Sequence, residues 1–214
     1  MPAPSIDVRD LARQFNRRRI FSGITFSAGY GQAIAVTGPN GSGKSTLMKI
    51  LCGVLSPSKG TVEFALDGKA VRPEDRFLHF GFVAPYLQLY DEFTGVENLR
   101  LFSGLRGLSR RGAGHLSDLL SRVGLERRKD DLVRTYSSGM KQRLKYAFAL
   151  LHRPPMLLLD EPGSNLDRDG AAIVRAIIDE QKRSGLVILA TNDPSDFDQC
   201  DRIIDLGSAP ENPS

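Results

Sequence analysis

Cysteine and histidine are scarce in this chain, with two of the first and three of the second among 214 residues. Cys52 and Cys200 have no C-x-x-C partner, which excludes a disulfide framework and suits a reducing compartment. His79, His115 and His152 lie far apart without metal-ligand spacing, so a histidine–cysteine metal centre is not expected. Long apolar runs are missing as well. No stretch approaches the roughly 18 consecutive apolar residues of a membrane-spanning helix. The opening "MPAPSIDVRDLARQF" carries an early acid and no apolar segment, unlike a secretory signal. Internal repeats and low-complexity segments are absent too. Together these absences predict a cytosolic protein that does not enter the membrane.

What is present is an average globular composition, 41% apolar and 25% charged, long enough to bury a sizeable core in one domain. The net charge is +4, with arginines clustered at 16–19, 109–111 and 126–129. Nucleic acid or an acidic membrane surface would account for this, and so would solvated loops and helix faces. Charge alone decides nothing.

Four short runs read as buried strands: "AIAVTG" (33–38), "FGFVA" (80–84), "MLLLDE" (156–161) and "LVILAT" (186–191). Each is nearly continuously apolar and ends on small or polar residues, as parallel strands covered on both faces do. Helical patterns alternate with them. In "STLMKILCGVLSP", Leu47, Ile50, Leu51, Val54 and Leu55 recur at helical spacing before Ser56-Pro57. Over about 168–183, Ile173, Val174, Ile177 and Ile178 share a face. This alternation predicts an α/β sheet with right-handed crossovers. Residues of about 5–32 and 60–72 read instead as β-rich and antiparallel. Residues of about 90–153 read as an inserted helical subdomain. The remainder forms the core of a single domain over 1–207, and the polar, Pro-containing end 208–214 is expected to be a disordered tail.

"GPNGSGKST" (38–46) follows the strand "AIAVT" and opens a helix, matching G-x-x-x-x-G-K-[ST]. Glycines let the backbone wrap so that N–H groups face phosphate oxygens, and the helix N-terminus adds partial positive charge. Gly38, Asn40, Gly41, Gly43, Lys44, Ser45 and Thr46 are therefore candidates for nucleotide binding. Lys44 is expected to reach the β/γ-phosphates, and Ser45 to offer its hydroxyl to Mg²⁺. "MLLLDEP" then brings Asp160 and Glu161 to a strand end. The first suits Mg²⁺, and the second suits a general base for an attacking water. A further segment, "YSSGMKQRLKYAFALLHRP" (136–154), sets Ser137, Ser138 and Gly139 before a helix whose face carries Met140, Leu144, Ala147, Phe148 and Leu151. Such a start is either a second anion-binding end or an ordinary cap.

These pieces in this order resemble the ATP-binding subunits of ABC transporters, over about 5–207. "GPNGSGKST" is similar to the family's Walker A loop, "MLLLDEP" to its Walker B strand, and "SNLD" (164–167), with Asp167, to its D-loop. "YSSGMKQR" is similar to the signature sequence LSGGQ, departing at Tyr136, Ser138 and Met140. The resemblance implies a P-loop NTPase core with a mainly parallel sheet, an N-terminal antiparallel β subdomain and an inserted helical subdomain. It implies ATP with Mg²⁺ as the bound nucleotide. It also implies two cassettes paired head to tail, so that Ser137, Ser138 and Gly139 close on the partner's γ-phosphate. Phe15 falls at about the spacing of the family's adenine-stacking aromatic. The implied partners are a membrane-spanning permease and a second ATPase subunit, identical or not. Nucleic acid is not expected. The implied location is the cytoplasmic face of the cell membrane, as a peripheral protein, with residues around 86–96 as the docking surface. The short length is similar to small single-cassette subunits such as the haem-exporter ATPase of cytochrome c maturation.

Two positions depart from the family. Where it ends its last core strand on "ATHD", this chain reads "ATNDP", placing Asn192 at the histidine. An amide still donates to a phosphate oxygen, without the strength of a cation. Asn192 is therefore expected to face the γ-phosphate beside the catalytic Glu161. In the Q-loop, "GFVAPYLQLYDEFTGVENL" (81–99) puts Pro85 at the glutamine, and Gln88 is the candidate substitute. Hydrolysis is expected to survive, slowed by Asn192 and Pro85. Two other functions stay open: a soluble ABC-type ATPase acting on nucleic acid or ribosomes, and a nucleotide-gated module that barely turns over.

Overall fold

The computed structural model describes residues 2–16, 18–108 and 112–207, so the expected tail at 208–214 lies outside the described residues. In chain order the elements are β1 (Pro4–Phe15), β2 (Arg18–Gly29), β3 (Ala33–Thr37), α1 (Lys44–Leu51), β4 (Lys59–Leu66), β5 (Lys69–Val71) and β6 (Phe80–Val83). After these come α2 (Gly95–Leu105), α3 (Gly112–Arg122), α4 (Ser138–Leu150), β7 (Met156–Asp160), α5 (Arg168–Ser184), β8 (Leu186–Ala190) and β9 (Arg202–Asp205). An antiparallel sheet has the order β2-β1-β4-β5, and a parallel sheet the order β6-β7-β8-β3-β9.

The parallel sheet is apolar on both sides because it serves two cores. Successive side chains of a strand point to opposite faces. Val187 and Leu189 of β8 join a core made with Leu99, Leu120, Leu144 and Ile177 from α2, α3, α4 and α5. Ile188 and Ala190 join a second core with Leu47 and Ile50 of α1 and with Ile6 and Phe64 of the antiparallel sheet. All five residues of β7 and of β8 are buried. Each buried large aliphatic side chain of this sheet contributes about 1.5–3 kcal/mol.

One local expectation is corrected, and one element is unanticipated. Helix α1 stops at Leu51, because Gly53 turns the chain left-handed (φ 83°) and leaves Val54 72% exposed. The edge strand β9 has no clear sequence signal. It is short, begins and ends on a charge, and leaves Ile203 49% exposed, so it lacks the continuous apolar run of the inner strands.

Because the strands run parallel, their C-terminal ends lie along one edge of the sheet, where ligands of open α/β folds bind. Residues 38–43 leave β3 there, Asp160 ends β7 with Glu161 just beyond it, and Thr191–Asn192 succeeds β8.

Candidate nucleotide site

The loop after β3 is shaped by close packing as well as by glycine. Gly43 caps α1 at φ 100°, and a Cβ there would lie 2.5 Å from Ile20 on β2. A side chain is excluded twice over, by the left-handed backbone and by the antiparallel sheet pressed against it. Lys44 is 8% exposed, and its Nζ donates to the carbonyls of Gly38 at 2.6 Å and Pro39 at 3.3 Å. An ammonium has three donors, so one N–H remains after the loop is braced.

Asp160 is buried, and its Oδ2 has no hydrogen-bond partner among the described residues. Burial raises its pKa first of all. The neighbouring Glu161 charge adds to the rise, whereas a hydrogen bond with Ser45 and the charges of Lys49 and Lys44 oppose it. An orphaned carboxylate oxygen next to a serine hydroxyl is a hard-oxygen pair that fits Mg²⁺. Among the described residues no group of three or more His, Cys, Asp or Glu can hold a metal, so the protein alone supplies no closed cage. Glu161 takes φ 53°, uncommon for a residue with a side chain, and its N–H donates to Ala190 O at 2.9 Å. It lines a cavity of about 350 Å³ together with Asn40, Lys44 and Asn192. Held strain of this kind gathers at functional sites.

Asn192 meets the phosphate loop directly. Its Oδ1 accepts from Thr37 Oγ1 and from the Gly38 N–H, both at 3.3 Å, and its Nδ2 donates to Asn40 Oδ1 at 3.4 Å. The adjoining turn belongs to Asp193, whose side chain accepts from Ser195 N at 2.9 Å. "TNDP" is thus both a turn and a loop contact, divided between adjacent residues.

The serine-rich start of α4 lies elsewhere. Ser137 caps the helix, accepting from Met140 N at 3.2 Å, and Ser138 and Gly139 form its first turn. A Cβ on Gly139 would sit 3.0 Å from Asn165 O, so glycine lets the helix tip touch the 163–167 turn. Asp167 caps α5 through Gly170 N at 2.8 Å. Ser138 and Gln88 line a second cavity with Leu87, Asp91 and Lys145, and neither is among the residues lining the phosphate-loop cavity. Phe15 ends β1, is 42% exposed, and carries the Arg13 guanidinium 4.2 Å above its ring.

Three polar residues near the site are not among those the sequence motifs single out. Lys145 of α4 is 9% exposed and donates to Pro85 O at 2.8 Å and Ala84 O at 3.3 Å, with burial lowering its pKa. The fully buried Tyr146 hydroxyl donates to Pro162 O at 2.9 Å. The Tyr86 ring lies 4.4 Å from Lys49 Nζ. A signal exists for the first: Ser138, Gln142 and Lys145 recur at helical spacing, beside the apolar face of the same helix.

The family described as "ABC transporter" matches residues 21–164. An ABC transporter ATP-binding protein of Bacillus subtilis is 34% identical over 201 residues, which cover 93% of this chain and 66% of that protein. The cytochrome c biogenesis ATP-binding export protein CcmA of Xanthomonas axonopodis is 35% identical over 188 residues, covering 88% of this chain and 86% of its own length. A solved structure of an ATP-binding subunit of an ABC transporter superposes with a TM-score of 0.80 at 28% identity, covering 94% of this chain and 86% of that one. The chain belongs to the ABC transporter family.

Proposed function

We propose that this chain is the ATP-binding and ATP-hydrolysing subunit of an ABC transporter. The observation that carries the reading is the meeting of Lys44, Glu161 and Asn192 around one cavity at the ends of three parallel strands. Loop N–H groups and Lys44 hold the β- and γ-phosphates. Ser45 and Asp160 would hold Mg²⁺, which would supply charge neutralisation at the phosphates. Glu161 accepts the proton of the attacking water, and Asn192 donates a neutral hydrogen bond to the γ-phosphate. Phe15 stacks on adenine.

Ser137, Ser138 and Gly139 act on the partner subunit's nucleotide, with Asp167 in the turn beside them. What supports this is that Ser138 and Lys44 of one chain line different cavities, so a head-to-tail pair would complete each site. A membrane-spanning permease docks on 86–96, where Tyr90 and Phe93 are 51% and 39% exposed. Among the described residues no helix is long and apolar enough to cross a membrane; the protein sits on the cytoplasmic face, bound to that permease. The likeness to CcmA favours the haem-exporter type.

The test is steady-state ATPase of the purified chain and of Glu161→Gln. General-base loss should lower kcat by about 10²–10⁴-fold. A Glu161→Gln protein as active as its parent would overturn the assignment of the base.

A further inference from the structure

Pro85 occupies the place where the family carries a glutamine, and it offers neither an N–H nor a polar side-chain atom. The backbone around it decides which neighbour reaches the site. Strand β6 runs beside β7 with Val83 opposite Leu159, so Ala84 and Pro85 leave the sheet next to Asp160. There Lys145 grips both carbonyls. Burial lowers its pKa, and among the described residues it forms no salt bridge. A buried ammonium satisfied by two carbonyls is a stiff hook, because releasing it would strand a cation inside the protein. Fixing 84–85 fixes the direction in which Tyr86 departs.

Tyr86 lies against α1, its ring on Lys49. Lys49 is four residues after Ser45 and therefore on the same flank of the helix. Ser45 is hydrogen-bonded to Asp160, and Lys49, whose ammonium meets the Tyr86 ring, lies about one helical turn from Ser45. Burial, reinforced by the Asp160 charge, raises the phenol's pKa and keeps its proton in place. The side chain is still 49% exposed, open to a ligand's water shell. Gln88 lines the cavity beside α4, with Ser138 and Lys145.

We propose that Tyr86, positioned by Lys145 and seated on Lys49, is the contact of this loop with the water shell of the Mg²⁺-nucleotide, in place of Gln88. The inference rests on the nucleotide reading above. A neutral phenol donates to and accepts from water. It orients water rather than deprotonating it, a task left to Glu161.

Full-length protein labelled with 3-fluorotyrosine has five fluorine resonances, one for each tyrosine, and Tyr86→Phe identifies the one at 86. In the Glu161→Gln background this resonance should shift on adding Mg²⁺·ATP, and shift less with ATP and no metal. Single-turnover hydrolysis by Tyr86→Phe should slow about tenfold, with ATP affinity within about twofold of the parent. Gln88→Ala should stay within about twofold in both. Lys145→Met should displace the 86 resonance before nucleotide is added, and Lys145→Arg should restore it. Tyr86→Phe keeps the ring on Lys49, so the test of Tyr86 stands even where Lys145→Met does not fold. ATP bound by calorimetry with an unmoved 86 resonance overturns the inference alone, as does slow hydrolysis in Gln88→Ala with normal hydrolysis in Tyr86→Phe. No ATP binding at all overturns the nucleotide reading, and this inference with it.

Discussion

Asn192 holds the first residues of the phosphate loop through three long hydrogen bonds, all made by a neutral amide. A histidine at this position could carry a positive charge toward the γ-phosphate, and charge-assisted hydrogen bonds are roughly twice as strong as neutral ones. Asn192→His is therefore expected to raise kcat by up to about tenfold, equivalent to ~1.4 kcal/mol. Steady-state ATPase at saturating ATP checks it. An unchanged rate would mean that this amide does not limit hydrolysis. The residue types at 44, 45, 160, 161 and 192 were legible in the sequence, the first two from the glycine-lysine-serine spacing at a helix start and the other three as polar residues following apolar runs. The bonding of Asn192 to Gly38 was not, because residues 154 positions apart meet only when β3 and β8 pair.

At the scale of elements, α4 joins the serine-rich tip to the loop after β6 through Lys145. Burial lowers the Lys145 pKa below 10.5, so between the folded value and 10.5 the unfolded chain binds more protons. Stability then rises with pH across that window. The stability of the parent relative to Lys145→Met should accordingly increase as pH approaches 10.5, measured as urea midpoints over a pH series. A difference independent of pH would mean that Lys145 titrates normally. Gly139→Val at the tip of the same helix should destabilise by about 1–3 kcal/mol, because its Cβ would press on Asn165 O at 3.0 Å. A thermal melt reads this, and an unchanged midpoint would count against the close contact. The inner strands were legible because two cores make them apolar throughout. The end of α1 was not, since Val54 and Leu55 continue the helical pattern that Gly53 has already broken.

For the whole molecule, Ser138 and Lys44 line different cavities, which fits the proposal that a partner subunit completes each site. In Glu161→Gln, Mg²⁺·ATP is expected to convert the protein to a species of twice its 23.5 kDa, and Lys44→Ala should prevent this. Light scattering reads the mass, and a species that stays single with ATP bound would count against the paired arrangement. The net charge of +4 makes a separate check worthwhile: DNA or RNA should leave the ATPase rate unchanged.

By itself the sequence determined the chemistry at the strand ends. Glycine spacing, a lysine, a serine and two acids after apolar runs leave little freedom in what they bind, because phosphate and Mg²⁺ demand those donor types. Only the tertiary structure decided which residues meet. It set Gln88 at a cavity beside α4, laid Tyr86 on Lys49 and drew Lys145 onto Pro85. Each of these depends on how a helix packs across the end of a sheet, a relation between distant segments that no local pattern encodes.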